Sequence, residues 1–325
     1  MASPAATFTE LVTTTFRKHR KQITTQIDQN NALLQRLNRK GRKEMIDGGL
    51  SLVVPLEYAQ NGNYQRFSGY DVLNMAATDV ISAAEYQWRN IAISVAANGT
   101  ELRTNSGDSQ IIRLAKAKLN NAVRSFKNNF SSDMYSDGTL TNQINGLQAL
   151  VSDAGTGTVG GINSTTWPFW KSIVQSAAAP LQGGGAVTVS ATTIEHQMFL
   201  PLWLTTQVGN DKADLIVTDM TYFSYYEQSQ ASLKRYTSGE DSAQGGIVSL
   251  KYKTADVVYD GDSGIPASHA YFLNTDFLNL YVHPDADMTE IPEMRSLNQD
   301  ATVVWMLWMG NLVCSNRSKQ GVAKA

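Results

Sequence analysis

The sequence predicts an α+β fold in which three unlike N-terminal pieces precede a compact mixed unit. Three observations carry that expectation. A basic amphipathic stretch runs to Lys43, a polar two-stranded excursion spans residues 49–107, and one long amphipathic helix opens near Asp108 and runs to about Phe130. A catalytic domain seldom spends its first third on surface that it cannot bury in itself.

The first piece is an arm. Phe8, Leu11, Val12 and Phe16, then Ile23, Ile27, Leu33, Leu34 and Leu37, recur at roughly helical spacing. The spacing predicts two short helical pieces broken at residues 28–31. Up to Lys43 the arm carries Arg17, Lys18, Arg20, Lys21, Arg36, Arg39, Lys40, Arg42 and Lys43 against Glu10 and Asp28. An ordinary surface helix with a solvated charged face is the plain alternative.

The second piece reads as a long β-hairpin. Residues 50–58 form one strand, with Pro55 placing it at an edge or a bulge. Residues 61–69 are turn chemistry, and residues 84–95 alternate well enough to return as a half-buried strand. An isolated two-stranded hairpin is marginal in water, so this one must lie on something. Asn-Gly pairs at Asn61-Gly62 and Asn98-Gly99 punctuate it.

The third piece is the helix. Ile111, Ile112, Ala115, Leu119, Ala122, Val123, Phe126 and Phe130 share one face, and Arg113, Lys116, Asn120, Arg124 and Lys127 share the other. At 1.5 Å per residue, roughly 23 residues reach about 35 Å, with Asp108 or Ser106 suited to cap the start.

Glycine-rich loops at 155–161 and 182–185 then flank an aromatic patch, Trp167-Pro-Phe-Trp170. The compact unit has an expected helix at 192–208, a buried strand at 214–218 and a helix at 220–236. Strands follow near 246–253, 255–259, 270–274 and 278–283, and an apolar strand from Thr302 to Met309 runs on to Cys314.

Composition bounds the function. The 325 residues are 42% hydrophobic and 17% charged, with a formal net charge of −2, so the whole chain is no polycation built to coat nucleic acid. Cys314 is the single cysteine, which excludes an intrachain disulfide and a thiol-only metal cluster. No run of about 18 apolar residues appears, and the start lacks the marks of a secretory signal. A soluble protein made in cytoplasm, with no membrane contact, is expected.

Segments resembling catalytic motifs lack their context. Residues 155–160 match a dinucleotide fingerprint by letter, but no helix follows to hold a pyrophosphate and the next acid is Glu195. Gly261-Asp-Ser-Gly264 looks like a serine-protease nucleophile segment, yet His19 and His196 sit in no fitting context, so a turn is expected around Ser263. His196 is expected to pack with a hydrogen-bond partner. Asp260, Asp262 and residues 283–287 do not make the ligand pattern of an EF-hand. The aromatic residues Trp167, Phe169, Trp170, Trp305 and Trp308 read as core. No catalytic residue, cofactor or metal is expected.

The order of pieces, together with Asn31-Ala-Leu-Leu-Gln-Arg-Leu37, Tyr64-Gln-Arg-Phe-Ser-Gly-Tyr70, Phe126-Lys-Asn-Asn-Phe-Ser-Ser-Asp133 and Gly161-Ile-Asn-Ser-Thr-Thr-Trp-Pro168, resembles the major capsid proteins of tailed bacteriophages, which share the Hong Kong 97 capsid fold. The resemblance covers nearly the whole chain. It implies an N-arm at 1–48, an extended loop at 49–107 and a peripheral domain with its spine helix at 108–143. An axial domain at 144–287 and a return to the peripheral domain at 288–325 complete it. It further implies self-assembly as pentamers and hexamers into an icosahedral virion shell around packaged double-stranded DNA, put together in host cytoplasm. The partners would be a portal and scaffolding or decoration proteins. An arm of about forty residues leaves no room for a long cleaved scaffolding segment, and no lysine–asparagine crosslink pair stands out. On this reading Arg17, Arg20, Lys21, Tyr64, Arg66, Phe67 and Tyr70 belong at subunit interfaces. Lys18, Arg39, Lys40, Arg42 and Lys43 are candidates for facing DNA through phosphate contacts, which carry no base information. The competing readings are a basic-armed DNA-binding nucleoprotein, for which no helix-turn-helix or zinc spacing exists, and a hydrolase, for which no coherent catalytic set exists.

Overall fold

A computed structural model describes residues 31–104, 108–230, 249–260, 264–295 and 300–325. The first arm segment, with Phe8 to Ile27, and the turn at Ser263 lie outside them.

Two sheets organise the chain. A four-stranded sheet has the order β1 (Lys43–Met45), β12 (Leu278–Arg295), β13 (Ala301–Cys314), β4 (Arg89–Asn98). A six-stranded sheet has the order β7 (Ile173–Ser176), β14 (Gly321–Lys324), β11 (His269–Leu273), β8 (Leu215–Thr218), β10 (Ala255–Tyr259), β9 (Ser249–Tyr252). Strands alternate their faces, so the six-stranded sheet serves two cores at once. Leu215, Val217, Tyr271 and Leu273 join one core, while Ile216, Ala270 and Phe272 join the other.

The long helix, α3 (Asp108–Asp133), which lies between the short α2 (Gly99–Thr104) and α4 (Leu147–Leu150), buries Ala115, Leu119, Ala122, Val123, Phe126 and Phe130, and exposes Arg113, Lys116, Asn120 and Arg124. Its register is the one that the apolar spacing dictates. Phe130 meets the Trp308 ring edge to face at 4.8 Å, which locks the helix onto β13. The second core is covered by a π-helical turn (Ile194–Phe199), α5 (Leu200–Thr206) and α6 (Met220–Ser229), centred on Phe199, Tyr226, Tyr252 and Phe272. Asp219 caps α6 by accepting from the Thr221 and Tyr222 amides.

Several expectations need correction. The long hairpin pairs β2 (Leu52–Glu57) with β3 (Ile81–Tyr86), and β4 pairs instead with β13. The expected returning strand therefore splits near Gln87 and serves two sheets. The strand expected to stop at His283 runs to Arg295. Its register shifts between Val282 and Asp287 and between Ile291 and Met294, where Pro284 and Pro292 sit without a ladder amide to donate. A boundary at 287 thus cuts through one strand. The chain also does not end beside α3, because β14 inserts between β7 and β11 of the six-stranded sheet. His196 is exposed, not packed. Trp167 is half exposed and Trp305 partly buried, whereas Trp170 and Trp308 are core.

Candidate assembly surface

The hairpin is seated on its own subunit at one end and bare at the other. In β2, Leu52, Val54 and Leu56 point inward while Val53, Pro55 and Glu57 face out. Its partner β3 rests on a tiny hairpin, β5 (Thr158–Val159) and β6 (Ile162–Asn163), whose turn residues Gly160 and Gly161 both have positive φ. The Glu85 amide donates to the Gly160 carbonyl at 2.9 Å, and a Cβ on Gly160 would stand 2.9 Å from that of Ala84. Tyr86, buried, donates its hydroxyl to the Cys314 carbonyl at 2.9 Å. Burial pushes the Cys314 thiol up to about 12, so this cysteine stays protonated and inert. Arg317, fully buried, ties the same region to the main core by donating to the Leu150 and Trp170 carbonyls at 2.6 and 3.2 Å.

Beyond Tyr58 the hairpin has no ladder. Its limbs are held by asparagine side chains instead: Asn63 donates to the Ala76 carbonyl at 2.5 Å, and Asn74 to the Asn63 side chain at 3.1 Å. The tip presents Tyr64, Phe67, Tyr70, Val72, Leu73 and Met75 to solvent, with Tyr64 83% exposed and Tyr70 wholly so. Arg66 is exposed among them. Large apolar side chains are thus bare along residues 64–75 of this one loop.

The arm's described part is bound within the subunit. Helix α1 (Ala32–Arg39) starts at Asn31, which is fully buried and accepts from the Leu33 and Leu34 amides. The Asn31 amide donates to Ser131 at 2.9 Å, and Tyr135 donates to Asp260 at 2.6 Å, with the Ala32 amide on the same carboxylate at 3.1 Å. Burial holds Asp260 above the usual carboxylate range despite those donors.

The other end of α1 is a charge clasp. Arg36 bridges Asp214 at 2.8 Å and Asp256 at 3.2 Å, and Lys40 bridges Asp214 at 3.2 Å and Asp276 at 3.1 Å. Arg42 reaches Asp276 at 3.3 Å, and Lys43 lies 3.9 Å from Asp287. Burial disfavours the ionised form of Asp276, but Lys40 and Arg42 outweigh it and hold its carboxyl below the usual range.

Of the expected DNA-facing residues, Lys40, Arg42 and Lys43 are therefore engaged by carboxylates of their own chain. Arg39 is exposed. Arg17, Lys18, Arg20 and Lys21 lie outside the described residues. Tyr64, Arg66, Phe67 and Tyr70 share the tip. Sequence reasoning missed the clasp acids Asp214, Asp256 and Asp276, whose common location no spacing reveals. Among the described residues no group of three metal-ligating side chains gathers, and no helix is long and apolar enough to cross a membrane.

No protein-family model matches the chain, and no curated protein matches it in sequence. Solved structures do match it in shape. The capsid asymmetric unit of cyanophage A-1(L) superposes with a TM-score of 0.60 at 17% identity, covering 93% of this chain and 92% of that one. The fold is that of a phage capsid protein. The capsid of Myoviridae phage XM1 superposes at 0.54 with 10% identity over 89% of this chain and 91% of that one. The SrpI encapsulin complex of Synechococcus elongatus PCC 7942 does so at 0.52 with 8% identity, over 87% and 84%.

Proposed function

We propose that this chain is the major capsid protein of a tailed phage, a non-enzymatic subunit whose pentamers and hexamers close into an icosahedral head around packaged DNA. In Hong Kong 97 terms, the hairpin is the extended loop and α3 is the spine helix. The four-stranded sheet belongs to the peripheral domain. The six-stranded sheet, β14 included, is the axial domain. The virion is its place, and a portal with scaffolding or decoration proteins are its partners.

The bare loop tip carries the reading. Burying a large apolar side chain is worth roughly 1.5–3 kcal/mol, so the six exposed ones on the tip represent on the order of 10 kcal/mol before ordering costs. A monomer forgoes all of it. A shell repeats that gain at every subunit. Deleting residues 61–69 should leave a folded subunit that forms no shells in negative-stain images. Normal shells from that deletion would refute the role given to the tip.

A second reading is an encapsulin-type assembly, favoured by the shared fold with the cyanobacterial complex. Nuclease-protected DNA inside particles from infected or induced cells separates the two. A free DNA-binding nucleoprotein is disfavoured by the intrachain pairing of Lys40, Arg42 and Lys43.

A further inference from the structure

A cleft of about 370 Å³ opens where the ladder of the long hairpin ends, between Tyr58 and the segment after β6. One wall is aromatic. The rings of Tyr58, Trp167 and Phe169 lie with centroids 5.5 to 6.3 Å apart, and Trp167 is 50% exposed. Asp79 lines the same cleft, which puts a carboxylate beside the rings. Among the described residues no lysine or arginine lines it. An exposed indole next to a carboxylate is the chemistry that accepts a guanidinium, which takes a ring face and an ion pair together.

We propose that the cleft receives the Arg66 guanidinium of a second copy of this chain. Residues 58–70 carry no other charge, and Arg66 is exposed between Tyr64 and Phe67. The Asn63 contact with Ala76 holds the two limbs together beyond the cleft, so Arg66 belongs to the outer part of the loop. Key and lock thus occupy different places on one chain. Repeated head to tail, a contact between them builds a ring where its rotation closes. This inference rests on the shell reading and names the contact that would link neighbours within it.

The test uses the full chain in three variants, Arg66→Asp, Asp79→Arg and both together, with Trp167→Leu as a fourth. Light scattering reads the threshold concentration for assembly, and thermal melting of unassembled subunits checks folding. Each single charge reversal, and Trp167→Leu, should raise the threshold about tenfold or more, the scale of one desolvated cation–π contact and ion pair. The double reversal should bring it back to within about threefold of the parent. Single variants that assemble like the parent, or a double variant no better than either single, overturn the proposal. A parent that assembles beside such indifferent variants removes the Arg66 contact alone. A parent that forms neither rings nor shells removes the shell reading itself.

Discussion

Replacing Asp214 by alanine should loosen the arm helix from the six-stranded sheet. Its carboxylate accepts from Arg36 Nε at 2.8 Å, from the Thr275 amide and hydroxyl each at 2.7 Å, and lies 3.2 Å from Lys40 Nζ. The Asp214 side chain is 17% exposed, so water replaces these partners poorly. A hydrogen bond to a charged group is worth about 1.5–3 kcal/mol, and four such contacts set a ceiling near 10 kcal/mol. The net loss is well below that ceiling. Arg36 keeps Asp256, Lys40 keeps Asp276, and both cations are partly solvated. Most of what remains is the orphaned Thr275 amide and the weakened hold on Arg36, together about 3 kcal/mol. At ~2 °C per kcal/mol for a chain of this size, the unassembled subunit should melt about 6 °C lower. A double-mutant cycle with Arg36→Leu should give a coupling of about 1–2 kcal/mol that shrinks in about 1 M salt. Hydrogen exchange should quicken at the amides of α1. A melting point within about 1 °C of the parent, with coupling below about 0.5 kcal/mol, would refute the clasp.

Three further outcomes follow from the same geometry. Asp260 has a folded pKa raised by burial, so its contribution is full below the unfolded value of about 3.9 and is lost as pH rises through the folded value. Relative to Asp260→Asn, the parent should lose stability on raising the pH across that window. A parent-minus-variant difference that is flat from about pH 3 to 7 contradicts this. Gly160→Ala puts a Cβ on a residue with φ of +57° and against Ala84, and should cost about 1–3 kcal/mol in urea unfolding; an unchanged midpoint would show that the hairpin seat is loose. Arg317→Ala strips the donors from the Leu150 and Trp170 carbonyls and opens a void, costing about 3 kcal/mol or more; a loss under about 1 kcal/mol would mean that those carbonyls are satisfied otherwise.

What the sequence revealed was what one element's own pattern carries. The buried face of α3, from Ala115 to Phe130, follows from apolar spacing because one helix face meets one sheet. The apolar run of β13 announced a strand, and the turn chemistry of residues 61–69 announced the tip of the hairpin. Pairing partners were hidden, since alternation says which face a strand buries but not against what it lies. Residues 84–95 alternate almost throughout, so the switch from β2 to β13 leaves no mark except Gln87 and Trp88. Proline and acidic residues concealed the length of β12, because bulges absorb Pro284 and Pro292. The four residues of β14 are too few for any periodicity, although they fill the middle of a sheet.

The candidate site divides the same way. Exposure of Tyr64, Arg66, Phe67 and Tyr70 was legible from composition, since glycine, asparagine and serine around them leave no core to enter. The clasp was not legible. Arg36 meets Asp214 and Asp256 across 178 and 220 positions of chain, and a basic run looks alike whether it faces phosphate or carboxylate. Trp167 was misjudged because its neighbour Trp170 is core, and a turn of 3₁₀ helix (Pro168–Trp170) rotates one indole inward and leaves the other facing the cleft.

The most direct test of the capsid reading is electron cryomicroscopy of the particles that the full chain forms. The account predicts closed shells built of five- and six-membered rings, with the tip from Tyr64 to Met75 covered by a neighbouring subunit in every ring. Monodisperse particles with the tip still in solvent, or a protein that stays monomeric at every concentration and salt tried, would contradict it.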